Sequence, residues 1–285
     1  MSLAAQSTDN SLSSELSPRE FKAIAQTLQS ASGIQLGESK LGLVKSRLQK
    51  RLWALELSSF GEYVNFISSQ EGADELEELV CAMSTNVTAF NREPHHFEYF
   101  RQHVAPALGQ KMKSGQPVRI WSAGCSNGSE PYTLSCEILD MFPEAVSHDI
   151  KILATDIDKH TLKQAIAGEY QEDMITGMPA PARKKWFEQS GRNFKIAPKP
   201  KSLVTFKPLN LFSDWPMKMG YDVIFCRNVL IYFNESDQIK LFNKFSNQLL
   251  GGGYLFIGHS ERLSGPATER LKVVAPTTYQ LKTGG

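Results

Sequence analysis

The sequence predicts an α/β protein in which an all-helical N-terminal domain precedes a doubly wound parallel sheet with a small inserted antiparallel β-subdomain. Residues 17–84 show only the helical spacing of apolar residues. After about residue 115, short apolar runs alternate with helical segments, as in parallel strands joined by crossover helices. One proline- and lysine-rich stretch interrupts this alternation and indicates the insertion.

The N-terminal domain, residues 17–84, is predicted from four amphipathic helices. The first begins at Ser17, Pro18 and Glu20, which combine an N-cap serine, a proline at the first helical position and a capping-box glutamate. Residues 1–16 are rich in serine and lack an apolar period, so they are predicted to form a flexible tail. The other three helices are predicted at about residues 39–55, after the capping sequence 59–62, and through 76–83.

The second domain is predicted to span residues 116–285, after a linker and first helix at 85–115. The glycine run 251–253 predicts a sharp helix stop before the last parallel strand. Residues 271–274 and 278–281 are predicted to form an antiparallel hairpin at one edge of the sheet. The parallel strands are predicted at 118–121, 150–154, 221–225 and 254–257, and the helices at about 130–142, 159–167 and 236–250.

The inserted β-subdomain is predicted at about residues 171–206, where proline, lysine and short apolar pieces replace the regular alternation. We expect residues 193–196 and 203–206 to pair as strands around a loop at 198–201.

Composition and charge exclude several classes of protein. Of 285 residues, 41% are hydrophobic and 21% charged, which excludes a disordered or collagen-like chain. A balance of 31 basic to 30 acidic residues argues against bulk nucleic-acid binding. No apolar run reaches the ~18 residues of a membrane span, and residues 1–17 do not resemble a signal peptide, so a cytoplasmic location is expected. The four scattered cysteines are interpreted as small buried hydrophobic residues.

A glycine-bearing turn follows the first predicted strand. Gly124 and Gly128 have G-x-x-x-G spacing, not the G-x-G-x-x-G of dinucleotide-binding turns. Ligands bind outside the carboxyl ends of parallel strands, and glycine lets the backbone approach them closely. By itself the turn does not distinguish a ligand loop from an ordinary turn.

Acidic residues beside this turn indicate a nucleoside-bearing cofactor. Asp156, at the tip of the second predicted strand, is placed to accept hydrogen bonds from ribose hydroxyls. Asp158, with Thr161, is interpreted as the cap of the next helix. Glu130 would repel a pyrophosphate but suits an ammonium group such as that of S-adenosylmethionine.

A series of motifs follows one order along the chain from about residue 18 onward. They lie at residues 85–93 (TNVTAFNRE), 95–97, 121–123 with 130–132, 154–158, 210–211, 226–233 and 258–261. Together with the helical domain in front, they resemble the CheR family of bacterial chemotaxis receptor methyltransferases.

The resemblance implies a Rossmann-like S-adenosylmethionine methyltransferase domain that methylates glutamate side chains of methyl-accepting chemotaxis receptors and leaves S-adenosylhomocysteine. It also implies that Arg92 and Tyr232 lie nearest the transferred methyl group, as catalytic residues. Carried over by position, the cofactor-binding residues are Asn86, Thr88, Arg92, Glu130, Asp156, Asn210, Leu211, Arg227 and Asn228.

A glutamate acceptor needs no general base, because a carboxyl group with a pKa near 4.3 is ionised at neutral pH. Catalysis then depends on positioning and on excluding water. We expect Tyr232 and Arg92 to orient the acceptor oxygen or the methionine end of the cofactor; alternatively, Tyr232 packs beneath the pocket. The adjacent His95 and His96 lack a third ligand in the sequence and are interpreted as structural rather than metal-binding, whereas His259 could serve either the site or the fold.

Basic residues on the second predicted helix are the candidate receptor-binding patch: Lys40, Arg47, Lys50 and Arg51. The resemblance implies that this patch meets the acidic methylation region of the receptor's helical bundle; a plain solvated face is the alternative. The inserted β-subdomain matches by location the one with which some family members bind the receptor's C-terminal pentapeptide by strand addition. The residues do not decide whether this chain does so.

Two other functions stay open. A nicotinamide-dependent oxidoreductase would need the fingerprint spacing that residues 124–128 lack. A catalytically silent module that senses S-adenosylmethionine is opposed by the intact Arg92, Glu130, Asp156 and Tyr232. We expect a monomer with neither a nucleic-acid partner nor membrane insertion.

Overall fold

The computed structural model describes residues 15–283, and their contacts divide the chain between Ser84 and Thr85 into two compact units. The first unit is all-helical. Its helices are α1 (Pro18–Ser32), a 3-10 turn (Glu38–Lys40), α2 (Leu41–Ala54), α3 (Phe60–Ile67) and α4 (Ala73–Met83). They bury the apolar stripes that the periodicity predicts, including Leu28, Leu48 and Leu79.

The start of α1 confirms the predicted capping box. The Ser17 Oγ accepts a hydrogen bond from the Glu20 backbone N–H, and the Glu20 carboxylate accepts the Ser17 backbone N–H at 2.9 Å. Leu16, just before the cap, is buried, as is Phe21 at the fourth helical position, an arrangement typical of a hydrophobic staple. The predicted tail is therefore too long at its C-terminal end, and residues 1–14 of it lie outside the described residues.

The second unit contains two sheets with helices between their strands. It opens with α5 (Pro94–Tyr99), a π-helical turn (Phe100–Val104) and α6 (Ala105–Lys113). There follow β1 (Val118–Ala123), α7 (Ser129–Met141), a 3-10 turn (Ala145–Ser147), β2 (Ile150–Asp156), α8 (Lys159–Ala167), β3 (Glu169–Tyr170), α9 (Glu172–Ile175), α10 (Ala180–Trp186), β4 (Phe187–Ser190), β5 (Asn193–Ile196) and α11 (Pro198–Ser202). The chain ends with β6 (Val204–Pro208), β7 (Tyr221–Cys226), a 3-10 turn (Leu230–Tyr232), α12 (Glu235–Gln248), β8 (Leu249–Ile257), α13 (Ala267–Arg270), β9 (Leu271–Ala275) and β10 (Thr278–Leu281).

The main sheet has seven strands in the order β6-β2-β1-β7-β8-β10-β9. The first five pair in parallel, and β10 and β9 form the predicted antiparallel edge hairpin. The order reverses between β1 and β7, which makes the crevice between their carboxyl ends the place where such sheets bind ligands. Successive residues of β7 serve apolar clusters on opposite faces, Phe225 in one and Ile224 in the other. The predicted α/β fold class is confirmed.

The small sheet differs from the prediction in its strands. It has the order β3-β5-β4, so residues 193–196 pair with residues on both sides of them but not with 203–206. Strand β6 instead pairs in parallel with β2 in the main sheet, and residues 198–202 form α11 rather than a loop. The prediction was wrong because short apolar runs do not reveal which partner strand will accept them, and proline at the start of α11 favours a helix as well as a loop.

The glycine run also differs from its predicted role. Residues 251–253 lie inside β8, which starts directly after α12, and do not separate the two. A Cβ on Gly253 would lie 2.9 Å from the Leu250 carbonyl oxygen and 3.0 Å from that of Asp222. Glycine is needed there because two backbones approach closely, at a point where the pairing of β7 with β8 shifts register.

Candidate functional site

Arg227 lies immediately after β7, and its side chain is only 2% exposed. Its guanidinium is the centre of the first half of the site, one of two groups of side chains that make it up. Its Nη1 donates to the Glu130 Oε2 at 3.0 Å, and the Ser122 Oγ donates to the Glu130 Oε1 at 2.7 Å. Burial raises the pKa of Glu130, while Arg227 and Ser122 act in the opposite direction. The glycine turn is thereby joined to the tip of β7 across the switch point.

The segment 85–93 is held against the same guanidinium. The Arg227 Nη2 donates to the Arg92 carbonyl oxygen, and the Asn228 Nδ2 donates to the Glu93 Oε1 at 3.2 Å. Four residues named from the sequence thus belong to one connected set: Arg92, Glu130, Arg227 and Asn228.

Asp156, at the tip of β2, is the centre of the second half of the site. Its Oδ2 accepts the Ser126 backbone N–H at 2.8 Å, and its Oδ1 accepts the Asp158 backbone N–H at 2.9 Å. Burial raises the pKa of Asp156, and these backbone N–H groups lower it in part. The Asn86 Nδ2 donates to the Asp158 Oδ2 at 2.6 Å, so the 85–93 segment reaches this half as well.

The remaining predicted cofactor residues lie beside these two halves. The Leu209 backbone N–H donates to the Asp156 carbonyl oxygen at 2.9 Å, which brings Asn210 and the buried Leu211 next to the tip of β2. The Asn210 Oδ1 accepts the Phe212 backbone N–H at 2.9 Å. Thr88 is half-buried on the same segment as Asn86.

Asp158 and Gly124 at the same edge have structural roles. Asp158 caps α8, as predicted, by accepting the backbone N–H groups of His160 and Thr161. Gly124 has φ +78°, and a Cβ at this position would lie 2.3 Å from Val229. Packing within the protein, and not the approach of a ligand, therefore requires glycine here.

The predicted catalytic residues are both anchored to the backbone of residues 85–87. The Arg92 Nη1 donates to the Val87 carbonyl oxygen at 2.8 Å, and the Tyr232 hydroxyl donates to that of Thr85 at 3.4 Å. Both side chains are half-buried. The structure therefore brings Arg92 and Tyr232 to one segment, while their catalytic roles stay a prediction.

Backbone strain is concentrated in the same loops. Asn91, Glu93, Ser126 and Asn228 all have positive φ, between 49° and 59°, although none is glycine. Each such conformation costs about 1–3 kcal/mol and persists only where surrounding contacts hold it, which is common at functional sites.

Two glutamates at this edge have roles that sequence reasoning did not assign. The Glu261 carboxylate accepts the backbone N–H groups of Asn228 at 3.2 Å, Leu230 at 2.7 Å and Ile231 at 3.3 Å, and that of Gly258 as well. The Glu93 carboxylate joins the 85–93 segment to the loops after β7 and β8, through Asn228 and His259. Both belong to quoted motifs, but their partners are distant in sequence, so no local pattern reveals what they bind.

The histidine pair has a third potential ligand that the sequence does not reveal. Donor atoms of Glu93, His95 and His96 lie within 4.8 Å of one another. However, the Arg227 guanidinium lies 3.3 Å from the Glu93 Oε2, and its positive charge opposes a cation there. The His96 Nε2 lies 2.8 Å from the Thr277 Oγ1, and burial, with the Arg227 charge next, lowers the pKa of His96 to about 3. A structural role for a neutral His96 explains these contacts.

The basic patch lies in the helical unit and is only partly available to a partner. Lys40 and Lys50 are exposed, whereas the Arg47 Nη1 donates to the carbonyl oxygens of Ala82 at 3.1 Å and Ser84 at 3.0 Å. The Arg51 Nε donates to Glu75 at 2.9 Å. Arg47 and Arg51 therefore bind within their own unit, and receptor binding by the patch stays a prediction.

The charges of the site fit a positively charged nucleoside ligand. The carboxylates of Glu93, Glu130 and Asp156 outnumber the guanidinium groups of Arg92 and Arg227 at this edge. A sulfonium and an ammonium group suit this edge, and a pyrophosphate does not.

The fold and this site define an S-adenosylmethionine-dependent methyltransferase. Residues 86–280 match the model "CheR methyltransferase, SAM binding domain", and residues 19–84 match "CheR methyltransferase, all-alpha domain". The chain belongs to the CheR methyltransferase family, which confirms the resemblance and the cofactor predicted from the sequence.

Several curated relatives match over nearly their whole length. The chain is 45% identical over 262 residues to a "Probable chemotaxis protein methyltransferase" of Rhizobium etli, with 90% of this chain and 98% of the relative covered. It is 38% identical to the "Chemotaxis protein methyltransferase" of Borreliella burgdorferi (92% and 93% covered) and 33% identical to that of Escherichia coli (93% and 92% covered). No helix within residues 15–283 is long and apolar enough to cross a membrane.

Proposed function

We propose that this chain transfers the methyl group of S-adenosylmethionine to glutamate side chains of chemotaxis receptors, forming methyl esters. The observation that carries this function is the match of both units to the two CheR domains. The polar residues that the sequence resemblance proposes for the site lie near the switch point of the sheet, which supports it. The protein is proposed to act as a cytoplasmic monomer.

The chain's own residues divide the work of holding the cofactor. Asp156, at the tip of β2, is placed to accept hydrogen bonds from ribose hydroxyls, and Glu130 to attract the ammonium group. Arg227 and Asn228 border the same crevice from β7, and residues 210–211 border it beside Asp156. Asn86 and Thr88 close it from the 85–93 segment.

When bound, S-adenosylmethionine supplies an electrophilic methyl group on a sulfonium. The acceptor carboxylate is ionised at neutral pH, so the chain needs to supply no base. The half-buried Arg92 guanidinium attracts the acceptor, and the Tyr232 hydroxyl orients it. Such positioning, with water excluded, can contribute up to ~7–11 kcal/mol to lowering the barrier.

Receptor recognition is proposed to use the basic patch, with the exposed Lys40 and Lys50 making the direct contacts. Attraction to the acidic methylation region would speed encounter and weaken with salt. A receptor C-terminal pentapeptide, if it binds, would add to an edge strand of the small sheet, β3 or β4. A titration with that peptide tests this separately.

Methyl-labelled S-adenosylmethionine and chemoreceptor membranes provide the decisive test. Carboxyl methyl esters release labelled methanol in mild alkali, whereas methylated amines do not. Methanol release that depends on both protein and receptor is expected. Cofactor binding without any release would instead indicate the silent sensing module.

A further inference from the structure

The carboxylate of Glu93 lies between two loops that both contribute to the methyl-transfer site. Its Oε1 accepts hydrogen bonds from the His259 Nδ1 at 2.8 Å and the Asn228 Nδ2 at 3.2 Å. Its Oε2 lies 3.3 Å from the Arg227 Nη2 and 3.4 Å from the His96 Nδ1. The side chain is only 11% exposed, and among the described residues its buried Oε2 forms no hydrogen bond, so this oxygen depends on the nearby Arg227 charge.

The backbone of Glu93 is itself held in an unfavourable conformation. With φ 56° and ψ 66°, it is left-handed, directly before the proline that starts α5. Asn91, two residues earlier, is also left-handed, and its backbone N–H donates to the Thr133 Oγ1. The sharp turn that carries Arg92 between these residues therefore needs contacts on both sides, and the Glu93 carboxylate provides those on the β7 side.

We propose that Glu93 is a positioning residue of the methyl-transfer site, whose carboxylate fixes Arg227 and Asn228 against the 85–93 segment. This rests on the proposed function, because that function assigns Arg92, Arg227 and Asn228 to the cofactor. Glu93 acts through these residues.

The electrostatic situation of Arg227 explains why the charge of Glu93 matters. One guanidinium, 2% exposed, is shared by the carboxylates of Glu93 and Glu130. Without the Glu93 charge, Arg227 keeps its ion pair with Glu130 across the crevice and its bond to the Arg92 carbonyl oxygen, but it loses its attraction to residue 93. The bond from the Asn228 Nδ2 is then no longer charge-assisted. Although burial opposes ionisation, the bond from His259, the Arg227 charge and the bond from Asn228 lower the pKa of Glu93 to about 2, so the negative charge is present throughout the neutral range.

Glu93→Gln tests the charge, since it keeps the shape and one acceptor oxygen. Glu93→Asp keeps the charge but shortens the side chain. His259→Ala removes a single exposed donor to Glu93, and it provides a test should Glu93→Gln fold poorly. Glu137→Gln is the matched control, because Glu137 is 12% exposed and pairs with Arg101 at 2.7 Å, with no contact to the site's named residues.

The measurements are the calorimetric Kd for S-adenosylmethionine, the kcat and KM of receptor methylation, and the unfolding midpoint of each full-length variant. Glu93→Gln should raise the Kd about tenfold, the size of one lost charge-assisted interaction, and Glu93→Asp and His259→Ala should raise it less. Glu137→Gln should leave the Kd unchanged even where its unfolding midpoint falls as far as that of Glu93→Gln.

A wild-type Kd in both Glu93→Gln and His259→Ala, or equal losses in Glu93→Gln and Glu137→Gln, would overturn the positioning role while leaving the methyltransferase intact. A wild-type protein that fails to bind S-adenosylmethionine would refute the proposed function itself.

Discussion

At the scale of single residues, the site depends on carboxylates that are buried but retain charge partners or backbone donors. Asp156 is the simplest case. Asp156→Asn keeps its volume and removes its charge, so it should weaken S-adenosylmethionine binding about tenfold or more, the loss of a charge-assisted hydrogen bond. Titration calorimetry measures this affinity. Asp149→Asn is the control, because Asp149 lies just before the other end of the same strand, β2. Unchanged affinity would remove Asp156 from the site.

Tyr232 is expected to act on turnover more than on binding. Its hydroxyl makes one long bond, 3.4 Å to the Thr85 carbonyl oxygen, so Tyr232→Phe should cost little stability. If the hydroxyl orients the acceptor, kcat should fall about tenfold or more, within the range of positioning effects, while the cofactor Kd stays within about twofold. Steady-state methylation and calorimetry separate the two effects, and wild-type turnover would assign Tyr232 to packing.

His96 should make stability depend on pH below neutrality. Burial, followed by the Arg227 charge, lowers its pKa to about 3, whereas an unfolded histidine titrates near 6.5. Between these values the unfolded chain binds the extra proton, so stability falls as the pH falls, by up to ~1.4 kcal/mol per pH unit. Urea unfolding at pH 6.5 and 5.5 should show a shallower decrease for His96→Asn than for wild type. An equal decrease would contradict the prediction. His95→Asn is the control, because His95 is the exposed neighbour of the buried His96 and its replacement should leave the decrease unchanged.

The sequence names candidate polar residues for the site but does not reveal what each one contacts. Asp156 is named because strand tips of a parallel sheet are ligand positions, and Glu130 because a carboxylate beside the glycine turn suits an ammonium group. Glu93 and Glu261 escaped because a carboxylate that binds distant backbone N–H groups or side chains has no periodicity to reveal it. Their roles emerge only when the loops are brought together.

At the scale of elements, α2 carries Arg51, which forms an ion pair with a buried carboxylate, and Lys50, which is exposed. Arg51 pairs with Glu75, which is only 4% exposed and also accepts the Tyr63 hydroxyl at 2.8 Å. Arg51→Ala would leave that carboxylate without its cation and should destabilise the protein by about 2–3 kcal/mol, whereas Lys50→Ala should change stability by less than about 0.5 kcal/mol. Denaturant unfolding of both variants checks this, and equal effects would show that the pair contributes nothing.

The elements themselves were predictable where periodicity and caps agree, as in α1 and α8. Strand partners were not. Val204–Pro208 pairs with the free edge of β2 in the main sheet, and tertiary packing, not the local sequence, determines that pairing. The glycine run misled because glycine serves both helix ends and closely approaching strands.

At the scale of the whole molecule, the net charge of +1 excludes global steering, so attraction to a receptor must be local. Lys40→Glu with Lys50→Glu should lower kcat/KM for receptor methylation severalfold and reduce its salt dependence, without changing the cofactor Kd. Initial rates between low and high salt measure both. The control is Lys163→Glu with Lys184→Glu, since both lysines are exposed and lie outside the patch. Lys111 is not used because it forms an ion pair with Asp222. Equal loss in both pairs would reduce the patch to a solvated face.

The Glu261 carboxylate, which gathers backbone N–H groups from the turn after β7, has a consequence for dynamics. Three of those amides, on Asn228, Leu230 and Ile231, lie outside any strand, yet each is bonded to a buried oxygen. Their deuterium uptake should therefore be as slow as that of the neighbouring sheet. We therefore expect the turn that leads to Tyr232 to be as rigid as the sheet beside it.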